Sequence, residues 1–430
     1  MHDVIVIGAG FAGCSAAREV RRAGLEPLVL EARDRIGGRT WTADWNGQRY
    51  ERGGNFFHWF QPHIWVEIEA ADATPLAIPE IKRAFWTVGD EIREGTWQER
   101  EEIGGRGWVL FNENSEELLS LPHSPLSPTN DIARLDQLTI QERLDELELA
   151  DDERAILIAE LEGMASGMID DAGALTGLRW HALSGHTLEG TQAATGLFTI
   201  AEGTLSVLQP ILDAAACEVR LNTPVASIQQ DGDQVTVTTR AGETLTAGAV
   251  VVTVPLNVLG DIAFDPPLSP AKQGAIALGQ AGLGSKMMIR VKGPEGGVWG
   301  VHPDHPFSYV ATLFEHDNGE QTLVTFGRKG SETHWEDLAW VQHELDRIIP
   351  GYTVLDTRMH DWEADEFSQG TWAIHRPGWY THYHADMQVP EGHVILSNSD
   401  WANGWSGFVD GAVESGKRGG RWAAAHATSA

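Results

Sequence analysis

The sequence predicts an α/β protein of more than one domain, and three observations support this fold class. The chain has 430 residues, which leaves room for about two or three domains of roughly 150 residues each. Residues 4–7 are a continuous run of valine and isoleucine, which is typical of a strand buried on both faces of a parallel sheet. A glycine-rich turn, a helical segment at 15–23 and a second apolar strand at 27–30 follow directly. These segments predict a βαβ unit at the start of the chain.

The turn in this unit carries three glycines in the pattern GxGxxG, at Gly8, Gly10 and Gly13. They permit a tight turn, a close approach of the backbone to a pyrophosphate, and close packing of the helix on the strand. The N-terminus of the helix then faces the anion with its free N–H groups. Glu31 ends the second strand and is expected to accept hydrogen bonds from ribose hydroxyls. The sequence therefore predicts a Rossmann-type domain that binds a dinucleotide.

The composition indicates a globular chain and argues against several classes of partner. Hydrophobic residues make up 42% of the chain and charged residues 22%, which excludes a disordered protein. The formal net charge of −31 would repel phosphate backbones and anionic lipids, so we expect neither a nucleic acid nor a membrane as a partner. Two cysteines, Cys14 and Cys217, are too few for a disulfide framework, and no signal segment or long apolar run is visible. We therefore expect a soluble, cytoplasmic protein.

Residues 31–40 read Glu-Ala-Arg-Asp-Arg-Ile-Gly-Gly-Arg-Thr. This segment resembles the one that follows the dinucleotide motif in the flavin amine oxidase family, which includes monoamine oxidases, polyamine oxidases and L-amino-acid oxidases. The resemblance implies FAD as the cofactor, and a fold that joins an FAD/NAD(P)-binding Rossmann-type domain to an α+β substrate-binding domain. It places Arg39 against the FAD diphosphate, which a guanidinium can bind with two hydrogen bonds, and Arg33 nearby.

Two further segments extend the resemblance toward the two ends of the cofactor. Gly53 and Gly54, followed by Asn55, are similar to the family's glycine pair, whose backbone approaches the flavin. Residues 221–225 are similar to a segment in which a valine contacts the adenine through its backbone, and this implies the same contact for Val225.

Residues 392–416 resemble the family's closing strand, turn and helix. The resemblance implies that Asp400 binds a ribityl hydroxyl and that the helix amides near Val409 face the pyrimidine end of the flavin, where negative charge gathers on reduction. The segment departs from the family pattern at Asn398, where glycine is common, at Asp400, where glutamate is common, and at Trp401, where a small residue is common.

Three side chains are implied as catalytic by the same resemblance. Lys286 lies in a segment similar to the strand whose lysine holds a water near flavin N5. Trp372 and Phe408 match the two aromatic rings between which the family holds a neutral amine. Both rings offer a negative π face to an amine or its cation. No cysteine lies near these positions, so we expect FAD to be bound noncovalently.

The domains are expected to be built from separated segments of the chain. In the fold that the resemblance implies, the FAD-binding domain comprises residues 1–75, 200–270 and 384–430, and the substrate domain comprises residues 76–199 and 271–383. No metal site is expected, because His382, His384 and Asp386 alternate in a way that is common on plain surface. The aromatic cluster at 55–60 either lines the pocket or fills the core between domains.

These observations lead to an FAD-dependent amine oxidase as the expected function. A small amine would give hydride equivalents to the flavin, the imine would be hydrolysed, and O2 would reoxidise the flavin to yield hydrogen peroxide. One alternative is an L-amino-acid oxidase, which would need an arginine for the substrate carboxylate, with Arg179 and Arg376 as candidates. A flavin-dependent desaturase and a flavin-bearing protein without catalysis are further alternatives. The substrate amine stays open, and a homodimer is one of the oligomeric states left open.

Overall fold

The computed structural model describes residues 2–328 and 334–427. The strands are β1 (His2–Ile7), β2 (Pro27–Leu30), β3 (Thr42–Trp45), β4 (Gln48–Glu51), β5 (Pro75–Ala77), β6 (Ile81–Val88), β7 (Glu91–Gly95), β8 (Phe198–Ile200), β9 (Glu218–Arg220), β10 (Val225–Asp231), β11 (Gln234–Thr239), β12 (Thr244–Val252), β13 (Ala263–Asp265), β14 (Ser285–Lys292), β15 (Gly297–Val301), β16 (Tyr309–Glu315), β17 (Glu320–Gly327), β18 (Thr353–Met359) and β19 (Val394–Leu396).

The helices surround two large sheets and connect their strands. They are α1 (Phe11–Arg22), α2 (Pro62–Ala70), α3 (Trp97–Phe111), α4 (Ser115–Leu118), α5 (Ile140–Asp145), α6 (Asp151–Ala165), α7 (Ala174–Leu183), α8 (Leu188–Gly196), α9 (Leu205–Ala215), α10 (Leu256–Leu259), α11 (Pro270–Leu278), α12 (Leu338–Asp346), α13 (Trp379–His382), α14 (His384–Gln388) and α15 (Val409–Ala427). None of the helices in the described ranges combines the length and apolar character that crossing a bilayer requires.

The first sheet contains the predicted βαβ unit at its centre. Its strand order is β13-β10-β11-β12-β1-β2-β9, and β19 also pairs with β12. The pairs β12–β1, β1–β2 and β12–β19 are parallel, with Ile5 opposite Val250 and Leu28. Ile5 is completely buried, as the sequence predicts for a strand covered on both faces. The predicted hairpin that returns to this sheet is present as the antiparallel strands β10 and β11 followed by β12.

The second sheet has the order β18-β14-β17-β16-β15-β6-β7. Its pairs are antiparallel except β15–β6. The second sheet is therefore mainly antiparallel, whereas the first is parallel around β1. The strands of the first sheet come from three separated stretches of chain and those of the second from two. This agrees with the expected α/β fold with an α+β second part. The exact domain boundaries, including the tail beyond residue 427, which lies outside the described residues, stay a prediction.

Helix α1 packs against the last helix, α15, through small residues. A Cβ atom at Gly416 would lie 2.2 Å from the carbonyl oxygen of Ala12, and one at Gly420 would lie 2.4 Å from that of Ala16. Only glycine allows this close approach of two helix backbones. The contact matters for the site because the N-termini of both helices reach the same cavity. Helix α1 begins at Phe11, earlier than the predicted residue 15, since the last residues of the glycine motif already form its first turn.

Candidate active site

A cavity of about 690 Å³ is bordered by the C-terminal ends of β1 and β2 and by side chains of the second sheet. It brings most of the predicted site residues together. Those that line it are Gly8, Gly10, Glu31, Arg33, Arg39, Gly53, Gly54, Asn55, Val225, Lys286, Trp372, Phe408 and Val409. Gly13 and Asp400 lie behind the wall of the cavity.

The glycine motif builds the end of the cavity at which α1 begins. Gly8 has a φ of 105°, which glycine adopts without strain. A Cβ atom at Gly13 would lie 1.9 Å from the carbonyl oxygen of Gly8, so this glycine permits the close packing of helix on strand. Gly10 is the N-cap and offers no side chain to the helix amides. Because Phe11 and Ala12 also line the cavity, the uncapped N-terminus of α1 fits an anion such as a diphosphate.

Glu31 and Arg33 lie next to this turn and hold it through hydrogen bonds. The Glu31 carboxylate accepts from the backbone N–H of Ala9 at 2.7 Å and from that of Arg33 at 2.9 Å. Each carboxylate oxygen has further acceptor capacity, so a ribose hydroxyl can still bind there. The Arg33 guanidinium forms an ion pair with Asp365 and donates to Ser368 Oγ at 2.8 Å. Arg33 is thus held at the cavity wall by the segment that precedes Trp372.

Arg39 and Asp400 are in direct contact, which the sequence did not predict. The Arg39 guanidinium forms an ion pair with the Asp400 carboxylate and donates to Asn398 Oδ1 and Ser399 Oγ, both at 3.0 Å. Asp400 also accepts from the backbone N–H of Leu256 at 3.0 Å and is completely buried. In the structure Asp400 therefore binds the Arg39 guanidinium, and its contact with a ribityl hydroxyl stays a prediction.

Val225 and Val409 line the cavity and are the first residues of β10 and α15, respectively. At Val409 the cavity therefore meets a second helix N-terminus, which favours negative charge. Gly53 and Gly54 follow β4 and line the cavity with little more than backbone. At Gly53 a Cβ atom would lie 2.0 Å from the carbonyl oxygen of Arg39, so the two segments predicted to contact the cofactor are packed directly on each other.

Lys286 lies in β14 and points at the Gly53 segment. Its Nζ donates to the carbonyl oxygens of Glu51 at 3.1 Å and Gly53 at 2.5 Å, and to Asn55 Oδ1 at 2.7 Å. Only 4% of its surface is exposed. Burial lowers the pKa of Lys286 to about 7, although the nearby Glu51 carboxylate acts in the opposite direction. The structure therefore provides a lysine that can exchange a proton near neutral pH beside the predicted flavin-proximal glycines.

Trp372 and Phe408 both line the cavity and are held by neighbouring groups. Trp372 donates from Nε1 to the carbonyl oxygen of Met164 at 2.9 Å. The Phe408 ring meets Trp180 and Trp405 edge to face, with centroids 4.8 and 4.9 Å away. These contacts fix the two rings before a ligand arrives, and their action as a pair around an amine stays a prediction.

A series of aromatic side chains extends along the cavity from Trp372. Consecutive centroids lie 5.5 to 6.2 Å apart. We call this series the aromatic row; in spatial order it comprises Trp372, Phe326, Tyr309, Trp299 and Trp97, all of which line the cavity.

Sequence reasoning missed the central members of the aromatic row. Phe326 lies opposite Lys286 on the neighbouring strand, and Tyr309 lies opposite Phe326. Residues that face each other in an antiparallel pair share a face of the sheet. Once the register is known, the position of Lys286 therefore places Phe326 and Tyr309 on the cavity side of the sheet. No local signal in the sequence gives that register.

The two arginines considered for a substrate carboxylate are engaged elsewhere. Arg179 is buried and donates to Ser406 Oγ at 3.1 Å and to the carbonyl oxygen of Gly404 at 2.9 Å. Arg376 forms an ion pair with Asp171 at 2.9 Å. Among the described residues that line the cavity, neither arginine is present.

The aromatic cluster at 55–60 is divided between the cavity and the core. Phe56 lines the cavity and lies 6.4 Å from Phe326 between ring centroids. Phe57 and His58 are each only 1% exposed, whereas Trp59 is 54% exposed. Phe56 therefore lines the pocket, whereas Phe57 and His58 are buried in the core.

Cys14 and Cys217 are free thiols, and neither is among the described residues that line the cavity. Within the same described ranges, no group of three or more His, Cys, Asp or Glu side chains is placed to hold a metal ion.

The chain is similar to several known proteins. Residues 11–420 match the family model for flavin containing amine oxidoreductase. The chain is 35% identical to a pseudooxynicotine dehydrogenase of Pseudomonas sp, over 97% of this chain and 85% of that protein. It is 29% identical to an (S)-6-hydroxynicotine oxidase of Paenarthrobacter nicotinovorans, over 96% and 97% of the two chains. The solved structure of cyclohexylamine oxidase from Brevibacterium oxydans has the same fold, with a TM-score of 0.81 at 21% identity over 99% of both chains.

Proposed function

Because the chain belongs to the flavin containing amine oxidoreductase family, we propose that its cavity holds FAD along the glycine motif and an amine between Trp372 and Phe408. The protein is an FAD-dependent enzyme that oxidises amines. The observation that carries the proposed placement is the contact of Lys286 Nζ with the Gly53 carbonyl and Asn55, inside the cavity onto which α1 opens. When bound, FAD supplies a two-electron acceptor for the hydride equivalent of the amine C–H bond.

The protein groups along the cavity suit the parts of this cofactor. The uncapped N-terminus of α1 and Arg39 would bind the diphosphate, and Glu31 the ribose hydroxyls. The backbone at Gly53 and Gly54 would approach the flavin ring, and the N-terminus of α15 would favour negative charge at its pyrimidine end. We propose noncovalent binding, which the positions of both cysteines away from the cavity wall support.

Lys286 and the two aromatic rings would act on the substrate side. With a pKa of about 7, Lys286 can hold a water molecule and exchange a proton with it at Nζ. Trp372 and Phe408 would hold the neutral amine by their π faces and exclude bulk water. Hydrolysis of the resulting imine would release an aldehyde or ketone and an amine or ammonia.

We propose that the substrate is a small amine that carries a ring. The aromatic row supports this, since flat apolar groups pack well against offset and edge-on rings. The relatives named for nicotine derivatives support it as well. An L-amino-acid oxidase is less well supported, because Arg179 and Arg376 are bound elsewhere and away from the cavity.

We propose O2 as the electron acceptor, which would be reduced by two electrons and two protons to hydrogen peroxide. One relative is named an oxidase and another a dehydrogenase, so the acceptor needs a direct test. The two free cysteines support a reducing, cytoplasmic location.

The decisive experiment is to record the absorption spectrum of the purified protein and then to precipitate the protein with acid. We expect a flavin spectrum, with the yellow colour left in the supernatant. Benzylamine, cyclic secondary amines and amino acids are then compared in a peroxide assay and in an assay with an artificial electron acceptor. Oxidation of amines with release of peroxide supports the proposal. Oxidation that occurs only with the artificial acceptor shows that O2 is not the electron acceptor. Oxidation of amino acids alone favours an L-amino-acid oxidase.

A further inference from the structure

Glu160 is a carboxylate at the wall of an otherwise largely aromatic stretch of the cavity. It lies on α6 and forms an ion pair with Arg100 of α3. The Arg100 guanidinium is itself placed over the rings of Trp97 and Trp299, at 4.9 and 4.6 Å from their centroids. Arg100 is 1% exposed and Glu160 is 15% exposed, so only the carboxylate of this pair is open to a ligand.

The position of Glu160 relative to Trp372 follows from α6. Trp372 donates to the carbonyl oxygen of Met164, and Glu160 precedes Met164 by one turn of the same helix. Four residues of α-helix span about 6 Å. Between them Gly163 lies against the aromatic row, because a Cβ there would come within 3.0 Å of Tyr309 Cβ. Glu160 is therefore placed about one helical turn farther along the cavity than the ring proposed to hold the amine.

A carboxylate that is only 15% exposed in such surroundings favours a cationic hydrogen-bond donor as its ligand. It carries more acceptor sites than Arg100 can fill, and it is partly withdrawn from water, so a charged donor that reaches it gains more than at the surface. A neutral hydrocarbon there would instead leave the remaining oxygen lone pairs without a partner.

We propose that Glu160 binds a second, protonated amino group of the substrate, so that the enzyme prefers amines that carry a cationic nitrogen about one helical turn beyond the reacting amine. This inference rests on the proposed function, because it takes the reacting amine to lie between Trp372 and Phe408. The strongly negative charge of the whole chain, −31, would also favour the approach of such dications.

The test compares benzylamine with para-xylylenediamine, which has the same ring and one more aminomethyl group. We expect the wild-type enzyme to have a kcat/KM about tenfold higher for the diamine, the gain typical of a hydrogen bond to a charged group. In Glu160→Gln this ratio should fall about tenfold through KM, because the amide has nearly the same size as the carboxylate but carries no charge to attract a cation. The dissociation constant of the diamine under anaerobic conditions, followed by quenching of tryptophan fluorescence, should rise in parallel.

A matched control comes from a second ion pair between the same two helices. Arg106 of α3 and Glu153 of α6 lie 2.7 Å apart and do not line the cavity, so Glu153→Gln should keep the wild-type ratio. If Glu160→Gln does not fold, the double substitution Arg100→Met and Glu160→Leu removes both charges of the buried pair together, and the ratio should again fall.

The outcomes separate this inference from the proposed function. If the enzyme oxidises neither compound and no other amine, the proposed function is contradicted. Oxidation of benzylamine without a preference for the diamine overturns the role of Glu160 alone, as does an equal loss for both substrates in Glu160→Gln. Glu101 of α3 also lines the cavity. If the ratio falls in Glu101→Gln but not in Glu160→Gln, the second amino group is bound by α3, and this also overturns the inference.

Discussion

At Lys286 three acceptors from one short stretch of chain converge on a single nitrogen. The carbonyl oxygens of Glu51 and Gly53 and the amide of Asn55 hold Nζ in place. A lysine is rarely buried unless its head group is bound in this way. The same contacts make the position of Nζ depend on the backbone that is proposed to lie against the flavin.

Replacement of Lys286 by methionine should slow the reaction and leave FAD bound. We expect flavin reduction or reoxidation to slow by roughly 10²-fold, the usual effect of removing an acid–base group, with an unchanged flavin spectrum. Below a pH of about 7 the Nζ is protonated and above it the lone pair is free, so the wild-type rate should rise with pH through this region. Stopped-flow absorbance across pH measures both effects.

Lys292→Met is the matched control, since Lys292 ends the same strand and is exposed to solvent. We expect wild-type rates and the same pH profile for it. A Lys286→Met enzyme with wild-type kinetics and an unchanged transition near pH 7 would remove Lys286 from the mechanism.

At the scale of elements, α2 is capped by a side chain from another helix. Its own N-cap residue, Gln61, makes no capping hydrogen bond. Instead, Asp410 in the first turn of α15 accepts from the backbone N–H groups of His63 and Ile64 at 2.6 and 2.9 Å. Burial raises the pKa of Asp410 to about 7, although these two hydrogen bonds oppose the rise. The start of α15 at the cavity is thereby tied to α2.

Two substitutions at Asp410 should separate its capping from its charge. Asp410→Ala should lower the free energy of unfolding by about 1 to 2 kcal/mol, the cost of a lost cap. Because the folded state holds this proton more tightly than the unfolded state, the wild type should lose stability as pH rises toward and through about 7. Asp410→Asn keeps a hydrogen-bond acceptor without a charge. Its free energy of unfolding should therefore fall less steeply with rising pH than that of the wild type, which means a smaller slope of stability against pH. Urea unfolding at about pH 5 and about pH 8 measures the difference.

Asp386 offers the control for this experiment, because it lies exposed on α14. Asp386→Asn should leave the slope of stability against pH as in the wild type. An Asp410→Asn protein with the full wild-type slope would show that another group releases the proton.

At the scale of the whole molecule, the two large sheets contribute to one cavity. The first supplies the ends of β1 and β2, and the second supplies Lys286 and the central part of the aromatic row. Residues from both parts also contact each other directly across the site, as in the ion pair of Arg33 with Asp365. A ligand that fills this cavity therefore binds groups that only the folded chain brings together.

Removal of FAD should consequently lower the stability of the entire chain. A ligand at a hundred times its dissociation constant stabilises the folded state by about 2.7 kcal/mol. We expect the thermal midpoint of the apoprotein to be lower and to be restored by added FAD. FMN lacks the adenosine half that the glycine motif and Glu31 are proposed to bind, so it should restore much less. Equal effects of FMN and FAD would contradict the proposed placement of the diphosphate and ribose.

The βαβ unit and the glycine motif could be predicted from the sequence alone, and most of the predicted site residues do line the cavity, although they are a minority of all the residues that line it. These features depend on residues that are neighbours in the chain, such as the run of valine and isoleucine before Gly8 and the pair Gly53 and Gly54. The physical requirement at each of them, a turn or a close approach of backbone, is local and therefore leaves a local pattern.

The tertiary structure alone decided which partners these residues have. It placed Asp400 on Arg39, turned Arg179 away from the cavity, and brought Glu160 and the aromatic row together with Trp372. Such contacts join residues separated by hundreds of positions, and they depend on strand register and on the packing of helices against sheets. A tryptophan in an apolar segment looks the same in the sequence whether it faces a core or a cavity, because only the fold decides what lies opposite it.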